Sequence, residues 1–162
     1  MRARLAAGIC AALVLLLAAT ASAAIPQKGK FAGTTSQTNP DGSAVPVEIK
    51  VNHGGFNVKR FAIGWTAPCD SGFTTLVQAT RAEGPVSSRG KFHGKGTYTS
   101  TSGNLAGTQY TAQVTSKVKG KFTGERKAKG TFQATAVLTD TTTGQPVSTC
   151  TSPTVHWHAK HL

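Results

Sequence analysis

The chain has 162 residues, and its 18 Lys and Arg against 6 Asp and Glu give a formal net charge of +12 at pH 7. This length suits one domain, and the cationic excess favours anionic partners such as wall polymers, lipid head groups, acidic glycans or nucleic acid. The few carboxylates argue against an enzyme that needs two acids across a cleft, such as a glycosidase.

The N-terminal segment has the pattern of a secretory signal peptide. Arg2 and Arg4 precede an apolar run over 5–19, and Ala21-Ser22-Ala23 supplies a small-residue cleavage site. The run is short for a membrane span, so we expect no transmembrane span in the mature chain. We predict a signal peptide over 1–23, a single secreted β domain over 24–162, and a location outside the cell or at its envelope.

Two cysteines, Cys69 and Cys150, lie in the predicted mature domain. Export and an even cysteine count predict one disulfide between them. A redox or metal role would need closer cysteine spacing, so we interpret the pair as a structural staple.

Short alternating segments separated by Gly, Pro, Asn and Asp follow the signal, without sustained helical periodicity. In chain order they predict strands over 30–37, 45–51, 61–69, 73–81, 91–99, 110–122, 132–138 and 154–160. Loops are expected over 83–88, 100–106 and 140–146, the second of them polar and mobile. About nine strands with short reversals predict an all-β fold. Both an antiparallel β-sandwich and an up-and-down β-barrel satisfy this pattern.

The segment 110–122 carries the clearest alternation. One parity is mostly apolar or small, whereas the other is polar and ends in Lys117, Lys119 and Lys121. Because successive side chains of a strand point to opposite faces, this pattern buries one row and aligns three ammonium groups in water.

Gly-Lys-Phe-x-Gly occurs three times, at 29–33, 90–94 and 120–124. Together with Thr35-Ser36-Gln37, Cys69-Asp-Ser-Gly72, Cys150 and Val155-x-Trp157-x-Ala159, these motifs resemble a group of small exported bacterial proteins, commonly from actinobacteria. The resemblance implies export, a β fold and pairing of the two cysteines. It does not indicate any particular activity. The Ser152-Pro153 pair departs from the group's usual final segment.

The hairpin over 117–129 is the first candidate site. Its cations are Lys117, Lys119, Lys121, Arg126, Lys127 and Lys129, and Glu125 is the one anion among them. A row of lysines about 6–7 Å apart would suit a polyanion. No aromatic residue is predicted on the exposed row for stacking bases, so no specific nucleic acid is expected. The alternative is a solvated edge that deters strand-to-strand aggregation.

Two further alternatives concern the C-terminal histidines and the two tryptophans. His156 and His158 share the outward face of the C-terminal strand, a pattern that can chelate Zn²⁺, Cu²⁺ or Ni²⁺. Trp65 and Trp157 lie on predicted inward rows, where they either pack in a core or line the cavity of a small-ligand-binding barrel.

No nucleophile elbow, zinc-protease motif or phosphate-binding glycine loop is present. We therefore expect a non-enzymatic protein without a cofactor.

Overall fold

The computed structural model describes residues 25–39, 41–71 and 75–162. Within them it has nine strands and one short 3-10 helix, Gly103–Leu105. The strands are β1 (Gly29–Thr38), β2 (Ala44–Val51), β3 (Asn57–Ala67), β4 (Leu76–Pro85), β5 (Lys91–Ser100), β6 (Tyr110–Gly124), β7 (Lys127–Asp140), β8 (Pro146–Thr151) and β9 (Val155–His161). They form one antiparallel sheet in the order β4-β3-β2-β1-β9-β7-β6-β5, and β8 also pairs with β7. The predicted all-β fold is confirmed.

The β6–β7 hairpin is the longest pairing of the sheet. Its register runs from Tyr110 opposite Asp140 to Gly124 opposite Lys127. From Ala112 to Phe122 every second residue of β6 is buried, and the residues between them are exposed. The strand prediction for 110–122 is therefore confirmed, because the apolar parity faces the core and the lysines face water.

Two strands in succession pair with the second edge of β7. β8 pairs with the part of β7 that follows Ala134, and β9 pairs with the part that precedes it. Between them, the N–H of Ala134 donates to the Ser152 hydroxyl at 2.8 Å, and the Ser152 N–H donates to the Ala134 carbonyl at 2.9 Å. Ser152 thus satisfies the β7 backbone in the gap, and Pro153, which has no N–H, follows it where the ladder is interrupted.

The sheet curls until its end strands, β4 and β5, approach each other. Side chains connect them: the hydroxyls of Tyr98 and Thr80 are 2.7 Å apart, and the Tyr98 hydroxyl donates to the Ala79 carbonyl at 3.2 Å. A Cβ on Gly94 would lie 3.1 Å from the Cβ of Ala82, so glycine permits this close approach. The result is a nearly closed antiparallel barrel or sandwich.

The prediction of a Cys69–Cys150 disulfide is confirmed. Just beyond β3, Cys69 pairs with Cys150 of β8, and their sulfurs form the disulfide. Backbone hydrogen bonds of 3.1 Å flank the pair, from the Asp70 N–H to the Thr149 carbonyl and from the Thr151 N–H to the Pro68 carbonyl. The staple therefore holds the end of β3 against β8, 81 residues apart in the chain.

The three Gly-Lys-Phe-x-Gly motifs meet in the core. Their phenylalanines are Phe31 on β1, Phe92 on β5 and Phe122 on β6, and all are buried. The ring centroid of Phe122 lies 5.4 Å from that of Phe31 and 5.5 Å from that of Phe92. The repeated motif thus supplies one aromatic cluster from three strands, and we expect truncation of any of its rings to cost about 3–5 kcal/mol.

Some boundaries differ from the sequence predictions. β4 runs to Pro85, beyond the predicted end at residue 81, and its predicted start at 73 lies outside the described residues. β8 occupies a segment that the pattern did not identify as a strand, because its alternation is short and mostly Ser and Thr. The predicted polar loop over 100–106 contains the 3-10 helix and buries Leu105 in the core. The predicted signal peptide, 1–23, also lies outside the described residues.

Candidate polyanion-binding face

The outer surface of β5, β6, β7 and β9 gathers most of the cations predicted from sequence. Lys117, Lys119 and Lys121 project from β6, and Lys127 and Lys129 project from β7; all five are exposed. Arg126 lies outside the strands, at the tip of the β6–β7 turn. The structure therefore brings five of the six predicted side chains onto one face and places the sixth at its end.

Neighbouring strands add cations that the hairpin prediction missed. Lys91 lies opposite Lys121, Lys95 lies opposite Lys117, and Lys160 lies opposite Lys127. We call the lysines of these four strands the basic face: Lys91, Lys95, Lys117, Lys119, Lys121, Lys127, Lys129 and Lys160. The alternation of Lys91, His93 and Lys95 already indicated an outward cationic row in β5. The register that joins this row to β6 is not readable from the sequence.

Like charges lie directly opposite one another across this face. One row runs from Lys91 through Lys121 to Lys129, at strand spacings of about 4.8 Å. Cross-strand pairs of opposite charge stabilise a sheet and pairs of like charge destabilise it, so these lysine pairs lower the stability of the sheet. An anion placed between the ammonium groups would relieve their repulsion.

A groove of about 750 Å³ follows these rows. Four lysines line it, namely Lys91, Lys119, Lys121 and Lys129, together with His156 and His158 of β9 and Thr35 and Ser36 of β1. Gly120 and Gly130 form part of its lining, and both lie in the cross-strand row between Phe92 and Trp157. The groove is therefore a shallow cationic surface over an aromatic part of the core.

Glu125 lies in the β6–β7 turn at the end of the basic face, whereas three other acidic side chains are bound locally away from it. Within the described residues, the ion pair is that of Arg60 with Glu48, at 3.8 Å on the β2–β3 side of the sheet. In the turn after β7, the backbone N–H groups of Thr142 and Thr143 donate to Asp140 and lower the pKa of its carboxyl below 3.8. Among the described residues no carboxylate lies within ion-pair distance of a lysine of the basic face, so these ammonium groups remain available to a ligand.

The Asp70 carboxylate, next to the disulfide, is also bound by neighbouring backbone and side-chain groups. Its Oδ1 accepts a hydrogen bond from the Thr149 N–H at 2.8 Å and another from the Ser148 hydroxyl at 2.7 Å. These two bonds, in that order of effect, lower the pKa of Asp70 below 3.8. Asp70 and Ser71, next to Cys69, therefore serve to hold a turn against β8.

His156 and His158 are exposed on the outer face of β9, as predicted. His158 lies between Lys129 of β7 and Thr34 of β1. His156 lies opposite Thr131, and its backbone N–H donates to the Ser36 hydroxyl. In the part of the chain that the structure describes, no three His, Cys, Asp or Glu side chains form a group suited to a metal ion. The lysine beside His158 also opposes a cation electrostatically, so these histidines fit the surroundings of an anion better.

Trp65 and Trp157 point inward, and both are packed against other core side chains. The Trp65 indole N–H donates to the Thr80 hydroxyl at 2.9 Å, and the ring lies 5.9 Å from that of Phe132. Trp157 has its ring centroid 5.2 Å from that of Phe61 and 6.0 Å from that of Phe92. Of the two roles that the sequence left open for these tryptophans, the packing favours core residues over cavity lining.

No protein-family model and no curated protein sequence matches this chain. Among the described residues, no helix is both long and apolar enough to cross a bilayer.

Proposed function

We propose that this chain is a secreted, non-enzymatic β domain that associates with anionic envelope or extracellular polymers through its basic face. The observation that carries the proposal is the set of lysine rows on adjacent strands, which face water and lack carboxylate partners among the described residues. Surface lysines of this kind attract polyanions by releasing their counterions, with little dependence on the detailed sequence of the polymer.

The geometry supports a polymer more than a small anion. Lysines that alternate along one strand lie about 6.8 Å apart, and neighbouring strands repeat the row at about 4.8 Å. Such a lattice can contact several charges of one chain at the same time, so weak individual contacts add up. A single small anion would need a deeper pocket with converging donors, whereas the groove here is open and shallow.

Retention on an anionic matrix, measured over a series of salt concentrations, tests the proposal. Lys117→Glu/Lys119→Glu/Lys121→Glu should elute at clearly lower salt than the wild type, because it reverses the central row of the basic face. The matched control is Lys50→Glu/Lys59→Glu/Arg81→Glu, which changes the net charge equally on exposed positions of β2, β3 and β4. Equal retention of the two variants would show that net charge, and not this face, controls binding.

A further inference from the structure

The outer face of β5, β6 and β7 changes chemistry along the strands. Toward the β6–β7 turn its rows are cationic, whereas farther from the turn they are neutral and rich in hydroxyl groups. Thr97, Thr115, Thr135 and Thr151 lie opposite one another on β5, β6, β7 and β8. The next row contains Thr99, Gln113, Val137 and Thr149 in the same order. A neutral polar surface thus continues directly from the basic face.

A second groove, of about 500 Å³, lies on the boundary between the two chemistries. Its lining includes Lys95 and Lys117 of the basic face and, one row farther along, Thr97, Thr115 and Thr135. Gln133 of β7 lies opposite Lys117 and is neutral. A 3.0 Å hydrogen bond from its side-chain amide to the Thr154 hydroxyl holds it in place. A ligand lying here would contact ammonium groups and hydroxyl groups together.

The three threonines of this groove are free to bind. Their side chains are exposed, and their hydroxyl groups make no hydrogen bond to any described protein atom. Each hydroxyl can donate one hydrogen bond and accept two. Their backbones lie in consecutive strands that pair with one another along this stretch, so the positions of the three residues are fixed before any ligand arrives.

No aromatic ring of β5, β6 or β7 is exposed on this face, and Trp157, which borders the first groove, is buried. Phe92, Phe122 and Phe132 of β5, β6 and β7 all point into the core, and Tyr98 is half-buried and bonded to Thr80. Proteins that bind single-stranded nucleic acid normally offer aromatic rings to the bases. The uncharged part of a ligand here would meet hydroxyl and amide groups instead, which suit the hydroxyl groups of a sugar.

We propose that the ligand of this face is an anionic glycan, whose acidic groups lie on the lysine rows and whose hydroxyl groups bond to the row Thr97, Thr115 and Thr135. This inference rests on the proposed function and adds to it the class of polymer. It predicts that the threonine row contributes more affinity for an acidic polysaccharide, whose hydroxyl groups can both donate and accept, than for a polyanion without hydroxyl groups.

The test compares two probes, polygalacturonate and inorganic polyphosphate, by titration calorimetry at a low and a high salt concentration, and wild-type binding of single-stranded DNA is measured in the same way. Thr97→Val/Thr115→Val/Thr135→Val removes the hydroxyls and keeps side-chain shape and strand propensity. It should weaken polygalacturonate binding about tenfold, as expected for a few lost hydrogen bonds, and change polyphosphate binding less than about twofold. Thr97→Ser/Thr115→Ser/Thr135→Ser keeps the hydroxyls and should bind both probes like the wild type. Circular dichroism and thermal melting establish that each variant is folded.

The outcomes separate this inference from the proposed function. If the valine variant binds polygalacturonate as the wild type does, or loses both probes equally, the glycan assignment is wrong and the basic face stands. Tighter binding of single-stranded DNA than of polygalacturonate would overturn the assignment in the same way. If the wild type binds none of these polymers with salt dependence, the proposed function itself fails.

Discussion

Replacement of Gly120 by alanine should destabilise the protein, because the added methyl group would overlap the Phe92 ring. Gly120 lies in β6 between Phe92 of β5 and Gly130 of β7, and the same cross-strand row ends at Trp157 of β9. The rings of Phe92 and Trp157 meet with their centroids 6.0 Å apart although two strands separate them. A Cβ at position 120 would collide with Cε1 and Cζ of the Phe92 ring.

The size of the effect follows from how firmly Phe92 is held. Its ring centroid lies 6.1 Å from that of Phe61 and 5.5 Å from that of Phe122, in addition to the contact with Trp157. Because rings surround Phe92, it can yield only by leaving its rotamer or by displacing β6, and such overpacking costs about 1–3 kcal/mol. We expect Gly120→Ala to lower the free energy of unfolding by about 2 kcal/mol. For a domain of this size that lowers the Tm by about 6 °C.

Urea denaturation followed by tryptophan fluorescence measures the change. The matched control is Gly124→Ala in the same strand, because a Cβ there has no atom within 4 Å and the backbone does not require glycine. This control should stay within about 0.5 kcal/mol of the wild type. Phe92→Leu removes the obstructing ring atoms, so Gly120→Ala should cost about 1 kcal/mol less in that background.

Two results would refute this reasoning. The first is an equal urea midpoint for Gly120→Ala and Gly124→Ala, which would mean that the added methyl group meets no resistance. The second is strict additivity of Gly120→Ala and Phe92→Leu, which would place the cost of the methyl group somewhere other than the ring.

Three more predictions concern the parts that close the sheet. Reduction of Cys69–Cys150 should lower the free energy of unfolding by about 4 kcal/mol in the chain-entropy account, since the loop spans 81 residues; a melting temperature unaffected by reductant would contradict this. Thr80→Val leaves the Trp65 indole N–H without its partner and should cost about 2 kcal/mol in urea denaturation, whereas exposed Thr97→Val should cost almost nothing. Asp70 has its pKa lowered in the fold by the Thr149 N–H and then by the Ser148 hydroxyl. Its stabilising effect is therefore present above the unfolded pKa and is lost as the pH falls through the folded pKa. Asp70→Asn should accordingly show a shallower loss of stability below about pH 4, in urea midpoints measured against pH; an acid limb as steep as that of the wild type would argue against the contribution of Asp70.

Local alternation was sufficient to predict eight of the nine described strands, and in the regular ones the direction of the side chains. In β6 the apolar parity is buried and the lysine parity exposed, as the pattern required, because side-chain direction in a strand depends only on position. The pattern was weakest where apolar residues do not mark the buried positions in a regular period. Leu105 follows polar residues in a loop, and β8 has few apolar residues, so neither gave a periodic signal.

Alternation within each regular strand is enough to assign its buried row and to place three lysines of β6 on one face. The pairing of β5 with β6 and of β9 with β7 is a property of the folded chain, and it places Lys91 and Lys160 in the same rows as the predicted cations. The same pairing brings the three motif phenylalanines into one cluster. The physical reason is that alternation is a property of one strand, whereas register and strand order depend on hydrogen bonds and packing between segments far apart in the chain.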